Sequence, residues 1–107
     1  MVKVNNLNKT QVISLSGVVN ALTIPAIAGQ VISYDMKNVI FNLSDVHQLD
    51  SAGIAWIVRI LKQVRDYGGK AIMIWSKSDA ANRIIRFTQF DKIFPVVNDI
   101  DTAIQLV

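Results

Sequence analysis

Two short runs of almost unbroken apolar residues, Val39-Ile40-Phe41-Asn42-Leu43 and Ala71-Ile72-Met73-Ile74-Trp75, constrain this chain more than anything else in it. A strand with one face in water alternates apolar and polar residues, so a strand apolar at successive positions needs cover on both faces. Such strands belong in the middle of a sheet. Between them, Gly53 to Tyr67 repeats at helical spacing, with Ile54, Ile57, Val58, Leu61 and Val64 on one stripe and Arg59, Lys62, Gln63 and Asp66 on the other. Gly68-Gly69 then supplies a left-handed C-terminal cap. Strand, helix and strand in succession make a βαβ unit, whose strands are expected to be parallel and whose crossover is expected to be right-handed.

The remaining segments fill in around that unit. Val2 to Val4 and Thr10 to Ser16 read as two strands joined by the polar turn Asn5 to Lys9, with Gly17 ending the second. Thr23 to Ser33 has Pro25 near its start and Ile24, Ile27, Ala28 and Val31 at helical spacing. Ser78 caps a helix through Phe87, Asp91 to Val97 carries Pro95 and suits only an edge strand, and Asn98 or Asp99 caps a last helix through Leu106. The expected architecture is α/β: one domain over residues 1–107, with a mixed sheet, a βαβ unit and four helices. A chain of 107 residues buries roughly two-thirds of its unfolded surface, enough for a core without metal or disulfide staples. It contains no cysteine and no Pro/Gly-rich linker that would mark an internal boundary.

Charge excludes several functions. Nothing between Lys9 and Asp35 is charged, but Gln11, Ser14, Ser16, Asn20 and Gln30 make that run too polar for a membrane span. It lacks the apolar centre of a secretory signal, although Ala26-Ile27-Ala28 imitates a cleavage site. The expectation is a soluble, unprocessed chain, and the absence of cysteine suits the cytoplasm. The net charge is +3, yet the basic residues are scattered rather than arranged as the stripe with stacking aromatics that nucleic acid requires. All eight acidic residues are Asp, the acid of caps and turns.

In an open α/β sheet, chemistry collects where strands hand over to helices. That address here is Ser44 to Gly53. Ser51 stands at the start of the central helix, where free amides and the helix dipole favour an anion, so a covalently attached phosphate would be well accommodated. Asp and Ser are equally the ordinary caps of ordinary helices. Ser51, His47 and Asp45 supply the residue types of a hydrolytic triad, but they crowd into one short loop and lack the G-x-S-x-G elbow. His47 has no second histidine and no cysteine to share a metal, and no phosphate-binding glycine loop is present. The expectation is a protein without catalysis, cofactor or metal.

The segments Val39 to Val46 and Leu49-Asp50-Ser51-Ala52-Gly53-Ile54-Ala55 resemble the signature of the STAS domain, the family of the bacterial anti-sigma factor antagonists. Leu15-Ser16-Gly17, Gly68-Gly69, the run Ile84 to Val96 and Thr102-Ala103-Ile104 extend the likeness over almost the whole chain. The resemblance implies that Ser51, the serine of the D-S-x-G motif, is the phosphorylation site. Unphosphorylated, such a protein binds an anti-sigma factor that is also a Ser/Thr kinase and displaces the sigma factor; phosphorylation ejects it, and a separate phosphatase resets it. Asp50 would orient the site, Ala52 would lie in the interface, and Gly53 would admit the partner's backbone. Where antagonists commonly have Gly-x-x-Asp, this chain has Gly17-Val18-Val19-Asn20, placing an amide in the partner face where an acid is usual. A different class shares the signature: a small cytoplasmic subunit bound to the ATPase of a phospholipid ABC transporter.

Trp56 and Ile60 flank the polar stripe of the long helix, beside Arg59 and Gln63. Exposed, they would form with Arg59 an apolar part of the partner face next to Ser51. Turned inward, they simply widen the core stripe. Sequence leaves both readings open.

Overall fold

A computed structural model describes residues 2–30 and 37–107. Among these residues the strands and helices follow in the expected order, with a 3-10 turn inserted where the start of the Asp91–Val97 strand segment is expected: β1 (Val2–Leu7), β2 (Thr10–Val19), α1 (Ile24–Ala28), β3 (Asn38–Leu49), α2 (Ser51–Asp66), β4 (Ala71–Ile74), α3 (Asp79–Thr88), the 3-10 turn (Phe90–Lys92), β5 (Val96–Val97) and α4 (Ile100–Gln105). The strands form one five-stranded sheet in the order β1-β2-β3-β4-β5. Only β1 and β2 are antiparallel, so the sheet is mixed.

The two apolar runs lie where their composition demands. Phe41, Leu43 and Met73 face a core with Ile13 and Leu15 of β2, covered by Ile27 of α1, Ile54, Ile57 and Leu61 of α2, and Ile85 of α3. Ile40, Ile72 and Ile74 point the other way, onto Val12 and Ala103 of α4. Alternate residues of one strand thus serve opposite faces, and that is why the runs are continuous. β5, which contains two residues and follows Pro95, is an edge strand as its proline requires.

Four boundaries differ from expectation. The first hairpin turns on Asn8 and Lys9 alone, with Asn8 at φ 53°, and Asn5, Asn6 and Leu7 remain in β1 opposite Val12, Gln11 and Thr10. A two-residue turn needs positive φ, which asparagine tolerates. β2 does not end at Gly17 but runs to Val19. β3 does not end at Leu43 but runs to Leu49 beside it, with register shifts at Ser14/Ser16 and Gly17/Val18. α1 stops at Ala28; Val31 and Ser33 of the longer helix expected there lie outside the described residues.

The caps follow the sequence closely. Gly68 takes φ 84° after α2, and Ser78 accepts a hydrogen bond from the Ala81 amide at the start of α3. Asp99 caps α4 by accepting from the Thr102 amide at 2.8 Å. That backbone hydrogen bond, helped by the Thr102 hydroxyl, holds the Asp99 carboxyl below the usual carboxylate range. A lowered folded-state pKa gives stability that is present above the unfolded value and lost as pH falls through the folded one. The stability difference between the unmodified chain and Asp99→Ala is therefore expected to be constant above about pH 5 and to shrink below pH 4 in urea titrations.

Candidate functional site

Beyond the end of β4, the last residues of β2 and β3 continue as a bulged pair and deliver the chain to α2. Asp50 is the N-cap, extended at φ −103° and ψ −178°, and its carboxylate accepts from the Gly53 amide at 2.7 Å. This satisfies one of the amides that every helix start leaves unpaired, an interaction worth about 1 kcal/mol. Ser51 is the first helical residue and is exposed, and no hydrogen bond among the described residues engages its hydroxyl. Ala52 is half-buried behind it.

Gly53 is buried, and the space where a Cβ would sit is filled by the Val19 carbonyl oxygen and by Leu49 Cδ1. The close backbone approach that a glycine permits is therefore made by the chain's own β2. Gly53 lies at the base of the site, where it seats α2 against β2. The Asp50 amide also donates to the Val19 carbonyl, at 3.4 Å. Val19 is thus the point at which strand and helix meet.

Asn20 follows Val19 and is half-buried. Its Oδ1 accepts from the amides of Leu22 (2.9 Å) and Thr23 (3.1 Å), so the side chain builds the turn that ends β2. Leu22, at the tip of that turn, is 88% exposed, a rim residue that the sequence pattern did not single out. Trp56 resolves one open choice. Its ring meets Phe41 edge-on, with centroids 5.8 Å apart and planes at 77°, and both Trp56 and Ile60 pack against the main core. They widen the core stripe, while Arg59 stands exposed on the outer face.

The other flank of β3 is held by a polar latch in the β4–α3 loop. Ser76 and Asn82 are 7% and 5% exposed. Asn82 Oδ1 accepts from the Ser76 amide at 2.9 Å while its Nδ2 donates to the Ser76 carbonyl at 2.7 Å. Ser76 Oγ donates to the Val46 carbonyl at 2.6 Å, Ser78 Oγ donates to the His47 carbonyl at 3.1 Å, and the Lys77 amide donates to the Ser44 carbonyl at 3.2 Å. The part of β3 that outruns β4 is thus paired on one side with β2 and on the other with a loop. The one clue in the sequence is a polar residue, Asn82, between Ala81 and Ile85 on the buried stripe of α3.

His47 is exposed on β3 rather than in a loop, and Asp45 lies 3.9 Å from Lys77 in an exposed ion pair. No hydrogen bond links Ser51, His47 and Asp45 among the described residues. What the arrangement offers is an unengaged hydroxyl at the N-terminus of a long, firmly seated helix. Among the described residues, no helix is long and apolar enough to cross a membrane.

A model of the STAS domain matches residues 3–103. A Thermotoga neapolitana protein, assigned by homology as an anti-sigma factor antagonist, is 32% identical over 69 residues, 64% of this chain; the match spans 60% of that relative's length. The crystal structure of an anti-sigma factor antagonist from Mycobacterium paratuberculosis is 25% identical, with TM-score 0.86 over 100% of this chain and 92% of that one. The antagonist SpoIIAA in its unphosphorylated form is 16% identical, with TM-score 0.78 over 97% of this chain and 93% of that one. The phosphorylated form of the Bacillus SpoIIAA is 13% identical, with TM-score 0.73 over the full length of both. The SpoIIAA likeness speaks for the fold.

Proposed function

We propose that this chain, which belongs to the STAS domain family, acts through residues 1–107 as an anti-sigma factor antagonist switched at Ser51. The observation that carries this reading is the exposed Ser51 hydroxyl at the first position of α2, beside the Asp50 cap. In the neutral state this corner presents a small hydroxyl and a half-buried alanine, which a partner surface can cover without burying a charge. An anti-sigma factor that is also a Ser/Thr kinase docks there and releases its sigma factor. The kinase transfers the γ-phosphoryl group of ATP to Ser51 Oγ; ADP leaves, and the hydroxyl proton passes to a base on the kinase. The phosphoserine carries about −1.5 to −2 charges at pH 7, and burying them without compensation in the interface costs several kcal/mol. The complex separates, and a phosphatase restores the hydroxyl by hydrolysis.

In this cycle the chain itself catalyses nothing, and the exchange takes place in the cytoplasm, where ATP is available. Asn20 belongs to the same face, and its oxygen builds its turn as a carboxylate oxygen would. The amide therefore alters the charge of the rim without altering its shape. The antagonists among its relatives favour this reading over that of a transporter subunit held constitutively on an ATPase.

The test is capture of the tagged chain from its own host, followed by reconstitution with the recovered kinase and ATP. One phosphate is expected on the unmodified chain and none on Ser51→Ala. Ser51→Asp is expected to weaken kinase binding by about 100-fold, the equivalent of roughly 3 kcal/mol. A Ser51→Asp variant that binds as tightly as the unmodified chain rules out the switch.

A further inference from the structure

We propose that the outward stripe of α2, running from Ser51 through Ala55 to Arg59 and Lys62, is the surface along which the partner lies, and that the partner's facing surface is rich in carboxylates. The proposal rests on the switch reading above and names the chemistry of the partner that the site takes. All four residues are exposed, and their spacings of four, four and three place them in one line down the helix. At 1.5 Å rise per residue, Arg59 lies about 12 Å and Lys62 about 17 Å along the axis from Ser51.

Neither cation forms an ion pair with a carboxylate of the described residues. Among the described residues, the ion pair formed is Lys77 with Asp45, at the other side of β3. The positions three and four residues from Arg59 are Ala55, Trp56, Lys62 and Gln63, so no acid on the helix can reach it. Lys62 has Arg59 and Arg65 three residues away on either side and Asp66 four residues on, but no ion pair joins it to Asp66. Like charges at this spacing disfavour a helix. Arg65 is drawn aside, with its guanidinium 4.8 Å from the centre of the Phe94 ring, and leaves the stripe to Arg59 and Lys62. The single acid of α2, Asp66, is its last residue.

An ordinary solvated face intersperses both signs. This chain places its aspartates at helix starts instead: Asp50 and Asp99 as caps, Asp79 and Asp101 in first turns. The longest helix is left with an outer line that begins at the serine, carries Arg59 and Lys62, and meets the helix's one acid, Asp66, only at its last residue. An acidic surface laid on that line is attracted by Arg59 and Lys62 while Ser51 is neutral. A phosphate on Ser51 then adds negative charge at the end of the same contact, against a surface of the same sign. Attraction and switch are thus parts of one electrostatic surface, and affinity should fall with salt.

The experiment has two arms. In the first, the amide spectrum of the full chain is followed while a ten-residue polyglutamate peptide is added at about 50 mM NaCl, where screening is weak. Shifts are expected to concentrate on residues 51–62, to disappear in Arg59→Glu/Lys62→Glu, and to persist in Lys3→Glu, an exposed cation of β1. Shifts spread evenly over the exposed Lys and Arg residues, or centred elsewhere, overturn the proposal. In the second, Kd for the recovered anti-sigma factor is measured from about 50 to 300 mM NaCl. Arg59→Glu/Lys62→Glu is expected to raise it about tenfold or more and to flatten its salt dependence, with Lys3→Glu unchanged. If the double variant binds like the unmodified chain while Ser51→Asp dissociates, the stripe is wrong and the switch stands. If the stripe variants weaken binding and Ser51→Asp does not, the switch is wrong and the stripe stands.

Discussion

Gly53→Ala is expected to destabilise the domain by roughly 3 kcal/mol, at the upper end of the usual range for overpacking. The added methyl would collide with the Val19 carbonyl oxygen and lie 2.8 Å from Leu49 Cδ1 and 3.1 Å from the Val19 carbonyl carbon. Leu49 can rotate; the Val19 carbonyl cannot, because it belongs to the β2–β3 ladder and accepts from the Asp50 amide. Relief therefore requires α2 to back away from β2, which also pulls Asp50 and Ser51 out of position. Alanine's better helix propensity, worth about 1 kcal/mol over glycine, offsets only part of this. The melting temperature should fall by roughly 15 °C for a domain of this size. Gly29→Ala supplies the contrast: the backbone there is helical, and the nearest atoms to a Cβ are at 3.8 and 3.9 Å. That change should be neutral or add about 0.5 kcal/mol. Equal melting temperatures for the two alanine variants would refute the seating role given to Gly53.

The parts of this fold that were legible in the sequence are those governed by a single local rule. The helical stripe Ile54-Ile57-Leu61, the Ser78 and Asp99 caps, the edge proline and the two apolar runs each follow from burial or capping at one element. β3 beyond Leu43 was not legible. Its buried residues there, Leu43, Val46 and Leu49, recur every three positions, because each register shift adds a residue on β3 and breaks the alternation that marks a strand. The same bulges carry the strand far enough to place Asp50 and Ser51 on α2. The start of α2 was therefore readable, whereas the strand that leads to it looked like a loop. The contact Gly53 makes within the chain was hidden for a related reason: its sequence position shows a need for close approach but not that the Val19 carbonyl is what approaches. Trp56 was ambiguous because a helix position at the border of two stripes is settled only by what stands opposite, here Phe41.

The latch around Asn82 has the second large effect, and it separates satisfied polar burial from simple volume. Asn82→Ala removes both partners of the Ser76 backbone at once, leaving its amide and its carbonyl unpaired in a residue that is 7% exposed. At about 1–3 kcal/mol for each buried group left unsatisfied, the expected loss is roughly 3 kcal/mol. Because Ser76 and Ser78 hold the carbonyls of Val46 and His47, the loss should also appear as faster amide exchange at Lys77, whose hydrogen bond to Ser44 closes the same clamp. Asn82→Asp tests the donor by itself. It retains the shape and the oxygen that receives the Ser76 amide but presents a second oxygen to the Ser76 carbonyl. Burial and that repulsion raise the folded-state pKa of the introduced carboxyl above its unfolded value of about 3.9. Protonated, it can donate to the Ser76 carbonyl as the amide did. Its stability, taken relative to the unmodified chain at each pH, should therefore be greatest below about pH 4 and be lost as pH rises through the raised value. A deficit independent of pH, or no deficit at pH 7, would mean that the Ser76 carbonyl does not depend on this donor. The end of β3 would then be held by its pairing with β2 alone.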